Sequence, residues 1–201
     1  FNLPGVFIDQ FESDTGILTE TTVDRNTTGE YVSSISTGSG ASAYQTGDRT
    51  GRITVTTQWN PNQGTASNYV NGDTSANSTG GLGHATHSFV DLYVRFQFAT
   101  AKVVTEAKWY QDNTVASGTV RWQASNDATT WTNIGNAFTL GGALIQTQTE
   151  LNGNTVAYTY YQLIGVTGNV EASPFHTEIE FKEADPVTTT SATGTLISTA
   201  S

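Results

Sequence analysis

Cysteine and methionine are both absent from this 201-residue sequence, and its eight lysines and arginines face eighteen aspartates and glutamates. Without cysteine there is no disulfide framework, no thiolate zinc site and no cysteine nucleophile. A formal charge of −10 disfavours nucleic acid and anionic membrane as partners, because both are held mainly through lysine and arginine. An acidic surface accommodates hard cations such as calcium instead. No apolar run approaches the roughly 20 residues that cross a bilayer, so no membrane insertion is expected. No basic head followed by an apolar stretch opens the chain. A start at Phe1 with no methionine anywhere leads us to expect a fragment or a processed product. Missing too are a G-x-S-x-G elbow, a P-loop and a dinucleotide fingerprint, and the carboxylates are scattered, so the chain reads as non-enzymatic.

What is present favours strands. Hydrophobic residues make up 36% of the chain, and threonine, serine, glycine and asparagine fill much of the rest, a composition that suits strands and turns better than helices. The expectation is an all-β protein organised around residues 119–135, where Val120, Trp122 and Ala124 alternate with Arg121, Gln123 and Ser125. One apolar and one polar face mark a half-buried strand. Asn126 and Asp127 supply a turn, and Trp131 is expected to anchor the next strand in the core, as Trp109 and Trp122 anchor theirs. The same alternation puts Val90, Leu92, Val94, Phe96 and Phe98 on one face and Asp91, Tyr93, Arg95 and Gln97 on the other. Further strands are expected over 52–59, 103–110, 144–151, 157–168 and 174–181, with Asn152-Gly153 as a type I′ hairpin turn.

A strand ending in Ser125-Asn126-Asp127, a polar corner and then Trp131 resembles the signature corner of discoidin-type modules. These are also called galactose-binding-like or coagulation-factor C-type domains. Their corner commonly reads Ser-x-Asp-Gly-x-x-Trp, and Ala128 stands here in place of the glycine. Residues 68–77, NYVNGDTSAN, are similar to the family's Asp-Gly-Asp-x-x-Thr loop, with Asn71 replacing the first aspartate. Residues 174–181, PFHTEIEF, resemble its closing strand, while Gln162 stands where the family often has arginine. The resemblance implies an antiparallel jelly-roll β-sandwich over residues 31–184. An extended N-terminal arm over 1–30 precedes it, and a Thr/Ser-rich linker over 185–201 leads to a further module.

The resemblance also implies a structural calcium held by Asn71, Asp73, Thr74 and Glu178, through carboxylates and backbone carbonyls. The same loop reads equally as a turn closed by Asx hydrogen bonds. A sugar site needs an aromatic ring against the pyranose and a few polar side chains for the hydroxyls. The loop candidates are Trp59, Tyr69, His84, His87 and Tyr110, each of which also reads as packing or ordinary surface. A zinc reading of His84, His87 and Asp91 lacks the further ligands of a tetrahedral site. The nominal sequon Asn26-Thr27-Thr28 reads as a surface turn.

The Thr/Ser/Gly/Asn-rich character looks like that of phage tail-fibre or virion-spike segments. The expected function is a non-catalytic carbohydrate-binding adhesion module, extracellular on a virion or cell surface. It would bind a host surface polysaccharide or glycan as part of a homo-oligomer or larger assembly. The alternative is a structural spacer or decoration domain whose arm docks on a neighbouring subunit without a ligand.

Overall fold

The structure, a computed structural model, describes residues 18–25, 30–37, 42–75, 81–184 and 188–195. Of the arm expected over 1–30, residues 1–17 and the sequon at Asn26 lie outside the described residues, and Leu18–Arg25 is a strand. In chain order the strands are β1 (Leu18–Arg25), β2 (Glu30–Thr37), β3 (Ala43–Tyr44), β4 (Ile53–Thr57) and β5 (Pro61–Gln63), followed by a 3-10 turn over Ala66–Val70. There follow β6 (Gly83–His84), β7 (His87–Ser88), β8 (Tyr93–Gln111), β9 (Ala116–Ser125) and β10 (Thr132–Gly141). The last five are β11 (Ile145–Gln148), β12 (Tyr158–Thr167), β13 (Asn169–Val170), β14 (His176–Ala184) and β15 (Thr188–Thr195). No helix among the described residues is long and apolar enough to cross a membrane.

The chain divides into two units, one of residues 1–39 with 187–201 and one of residues 40–186. In the first, β1, β2 and β15 form an antiparallel three-stranded sheet, with β15 paired to β2 from Thr37↔Thr188 to Glu30↔Thr195. The segment expected as a linker over 185–201 therefore contains a strand, and the boundary expected at residue 31 falls inside β2. Serine and threonine serve a linker and an edge strand equally well, and only pairing decides between them.

The second unit is a two-sheet sandwich built on β8. The first half of this long strand pairs with β4 and β12, and β12 continues through β9 to β10. Its second half pairs with β11 and β14, and β14 with β3. One strand thus serves a five-stranded and a four-stranded sheet, and the two strands expected over 88–98 and 103–110 are one element through Thr100 and Ala101. The inward side chains meet between the layers. Phe181 of β14 packs edge-on against Phe96, Phe98 and Trp122 at 5.1, 5.3 and 6.0 Å between ring centroids. The Trp122 indole N–H donates to Gln148 Oε1 of β11 at 3.0 Å, so even the polar tip of this core residue is satisfied across the layers.

Two expectations are corrected here. Asn152-Gly153 is not a hairpin turn: β11 and β12 both pair with β8 and belong to different sheets, so the segment crosses between layers. Only Gly153 of the pair has positive φ, whereas a type I′ turn needs both. Trp131 is not a core anchor either; it precedes β10 with the outward parity of Asn133 and is only half-buried.

Candidate functional site

Three of the five expected sugar contacts lie in the core. Trp59 and Tyr69 have no exposed surface and His84 has 2%. Trp59 packs on Phe89 at 5.1 Å and donates its indole N–H to Leu92 O. The hydroxyl of Tyr69 lies 3.2 Å from His176 Nδ1 and 3.5 Å from His84 Nε2. These rings come from the loop between β4 and β8, which sequence polarity marks as surface. The loop instead closes one end of the sandwich and buries its aromatics there. His84 donates from Nδ1 to Trp59 O, and its ring centroid lies 5.1 Å from that of His176. Burial lowers the His84 pKa to about 4, with His87 adding to the effect, and burial holds His176 well below the usual imidazole range, with His84 adding to it. His87 is half-buried and donates to Ala85 O. Tyr110 is half-buried on the outer face of the four-stranded sheet, its hydroxyl donating to Glu180. The five residues do not form one site.

The expected calcium ligands do not converge either. Asn71 Oδ1 accepts the Asp73 N–H and Asp73 Oδ1 accepts the Ser75 N–H, so the loop is a pair of Asx turns, and Thr74 is exposed. Glu178 has no exposed surface, and its carboxylate is taken by the guanidinium of Arg49 and, at 2.6 Å, by the Gly72 N–H. Arg49, itself 1% exposed, also donates to Gln45 O and Gly47 O. A cluster of oxygens that would suit a cation is already addressed by a guanidinium fork. Burial raises the Glu178 pKa to about 8, opposed by Arg49 and by the N–H groups of Gly72 and Ile179. Gly72 has a φ of +83°, and a Cβ there would meet Gly47 C at 2.4 Å, so the loops close on each other at backbone distance. Among the described residues no three His, Cys, Asp or Glu side chains are grouped to hold a metal. The residues present do not fit calcium.

The surface that combines rings with polar side chains is the outer face of the five-stranded sheet. Register places Thr56, Arg95, Gln162, Gln123 and Asn133 in one row across β4, β8, β12, β9 and β10. Arg95 donates from Nε to Gln162 Oε1 at 3.0 Å; Gln162 then donates to Gln123, and Gln123 to Asn133, both at 2.8 Å. The guanidinium lies 4.0 Å from the Tyr93 ring centroid and 4.6 Å from that of Trp131, so two aromatic residues hold it in place. Trp131 is positioned by the corner that precedes it. Ser125 Oγ accepts the Asp127 and Ala128 N–H groups, and Asp127 accepts those of Thr129 and Thr130. The Thr130 and Thr129 bonds hold the Asp127 carboxyl well below the usual carboxylate range. Ala128 takes a φ of +58°, the conformation that favours glycine.

The alternation in sequence places Tyr93 and Arg95 on the polar face of their strand, and nothing in it singles them out as a site. A further signal was present: the strand sequences of β4, β9, β10 and β12, and β8 as far as Lys102, contain no aspartate or glutamate at all. An open cleft of about 130 Å³ lies near this layer, lined by Arg52, Phe98, Ala99, Thr100, Lys102 and Glu183. There Arg52 pairs with Glu183, which offsets its charge.

No family model and no curated protein matches the chain. Among solved structures, the family 32 carbohydrate-binding module of Clostridium perfringens NanJ, in complex with galactose, is similar with a TM-score of 0.51 at 13% identity. The match covers 68% of this chain and 97% of that one. The first such module from a family 31 glycoside hydrolase of Clostridium perfringens gives a TM-score of 0.49 at 11% identity, covering 65% of this chain and 93% of that one. The likeness establishes the fold, an all-β antiparallel sandwich of galactose-binding-like architecture.

Proposed function

We propose that the chain is a non-catalytic carbohydrate-binding module that attaches a larger extracellular assembly, such as a virion or cell-surface fibre, to a surface glycan. The observation that carries this reading is the outer face of the five-stranded sheet, where Tyr93 and Trp131 hold Arg95 beside a row of amide side chains. Aromatic faces with fixed donors are what sugar recognition uses. Binding without hydrolysis fits the same face, because glycoside cleavage uses a pair of carboxylates and these strand segments supply none. The fold of the NanJ module, solved with galactose, supports the class of ligand.

The connectivity favours display on a scaffold. The chain leaves one sheet by β2, forms the sandwich and returns to the same sheet by β15, beside β2. Insertion of the sandwich unit in the chain between β2 and β15 serves the adhesion reading and the spacer reading alike. A glycan panel separates them. Saturable binding of the full chain to a surface polysaccharide, weakened about tenfold or more by Trp131→Ala, supports adhesion. A folded chain that binds nothing on the panel overturns it and leaves the spacer. Calcium is dispensable in this reading, with the Arg49 guanidinium acting as the cation. Chelation is expected to change neither binding nor melting temperature. A homo-oligomer is expected on sedimentation, and a monodisperse monomer would remove that part of the proposal.

A further inference from the structure

Of eighteen carboxylates in a chain of net charge −10, none is contributed by the strands that form the five-stranded sheet, counting β8 up to Lys102. Two guanidiniums do lie on its outer face, those of Arg95 and Arg121. Neither forms an ion pair, whereas Arg49 and Arg52 both pair with glutamates. Arg121 makes no hydrogen bond among the described residues, and its buried Nε has no partner. Arg95 uses Nε alone, leaving both terminal nitrogens free for a ligand.

The amide row has a direction. An arginine Nε can only donate, so Gln162 must offer its oxygen to Arg95 and its nitrogen to Gln123. Gln123 does likewise towards Asn133. The row therefore begins in the unused guanidinium nitrogens of Arg95 and ends in the exposed amide nitrogen of Asn133. Both of its ends present donors, and it needs an acceptor. Arg121 lies one row along, across Ile164 from Tyr93. Two strand spacings and one side-chain repeat separate it from Arg95, which is about 10 Å across and about 7 Å along. Two arginines at that backbone separation suit two charges along one polymer better than one small anion.

We infer that this face binds an acidic polysaccharide, with Arg95 and Arg121 each receiving a uronic-acid carboxylate and Trp131 and Tyr93 flanking the sugar rings. The inference rests on the carbohydrate-binding reading and deepens it. A planar carboxylate takes two parallel N–H bonds from a guanidinium, and strand segments that carry no acid leave Arg95 and Arg121 without a competing ion pair.

The test measures binding of the full chain to polygalacturonate and polyglucuronate, to their carboxyl-reduced neutral counterparts, and to dextran sulfate. Saturable binding to at least one uronic-acid polymer is expected, about tenfold or more tighter than to its neutral counterpart. Arg95→Gln and Arg121→Gln should each weaken it about tenfold, with the melting temperature of each variant reported alongside, while Lys108→Gln on the opposite face changes nothing. Equal binding to the neutral polymers, or binding to neutral glycans alone, overturns the acidic ligand and leaves the carbohydrate-binding reading intact. Dextran sulfate binding as tightly as the uronates overturns it in favour of simple polyanion attraction. Binding to neither uronic-acid polymer overturns the inference, and binding to no glycan of any kind overturns both readings.

Discussion

The two outer faces of the sandwich obey opposite rules. On the four-stranded sheet every charge has company: Tyr44 donates to Glu106 and Tyr110 to Glu180, and the ammonium of Lys108 lies 4.1 Å from the Tyr44 ring centroid. Arg49 with Glu178 forms a buried pair beside them. On the five-stranded sheet the two arginines have no carboxylate, and the polar side chains form a row whose two ends both donate. A face whose charges are mutually satisfied gains little from a ligand, because any contact must first displace a good one. A face of ordered but incompletely used donors has already met the ordering cost that binding would impose. Composition is an average over both and describes neither.

Removing an arginine from each region should give the largest contrast. Arg49→Ala strands the Glu178 carboxyl in the interior and is expected to cost about 3–5 kcal/mol in urea unfolding. Arg95→Ala removes only ring stacking and one hydrogen bond, and is expected to cost about 1 kcal/mol or less. Similar costs would show that the two arginines are equally structural and erase the distinction between the faces.

Acid comes next, and acts first through the histidines, none of which lies in a strand segment of the five-stranded sheet. His84 titrates near 6.5 when unfolded and at about 4 when folded. Its neutral form therefore stabilises the fold fully above pH 6.5, and that contribution is lost as the pH falls from 6.5 towards 4. The loss is on the order of 3 kcal/mol for His84, with His176 adding in the same direction. Urea midpoints at pH 7, 5 and 4 measure it, and His84→Gln should flatten the dependence. Glu178, raised to about 8, acts in the opposite sense over the same range, so a pH dependence identical in the parent chain and in His84→Gln is the result that would contradict the buried histidines.

The smallest effect concerns the corner beneath the five-stranded face. Ala128→Gly is expected to stabilise by about 0.5–1 kcal/mol, because glycine reaches the observed φ of +58° without Cβ strain. A loss of stability there would mean that chain entropy outweighs the strain relieved.

Period-two alternation made the strands legible, because burying one side of a sheet requires apolar residues at every second position. Val94, Phe96, Val120, Trp122, Ala124, Tyr161 and Leu163 are all buried as that pattern requires. The corner at Ser125-Asn126-Asp127 was legible for a different reason: its hydrogen bonds run between neighbours in sequence. The site was not. Whether Trp59 or Trp131 faces solvent depends on which strands cover them, and a polar stretch carries the first into the core while a turn carries the second onto a surface. The Gln162 to Gln123 bond joins residues 39 apart and the Arg95 to Gln162 bond residues 67 apart, separations at which local pattern is silent.

By itself the sequence determined the all-β class, the inward and outward sides of most strands, and the lack of acids along several of them, since each follows from residue order within a few positions. Only the tertiary structure decided that β8 serves both sheets, that Arg49 takes the Glu178 carboxylate expected for calcium, and that the Arg95 guanidinium lies against the Tyr93 and Trp131 rings. Those outcomes depend on strand order and register, which are set by how whole sheets bury their apolar faces against each other.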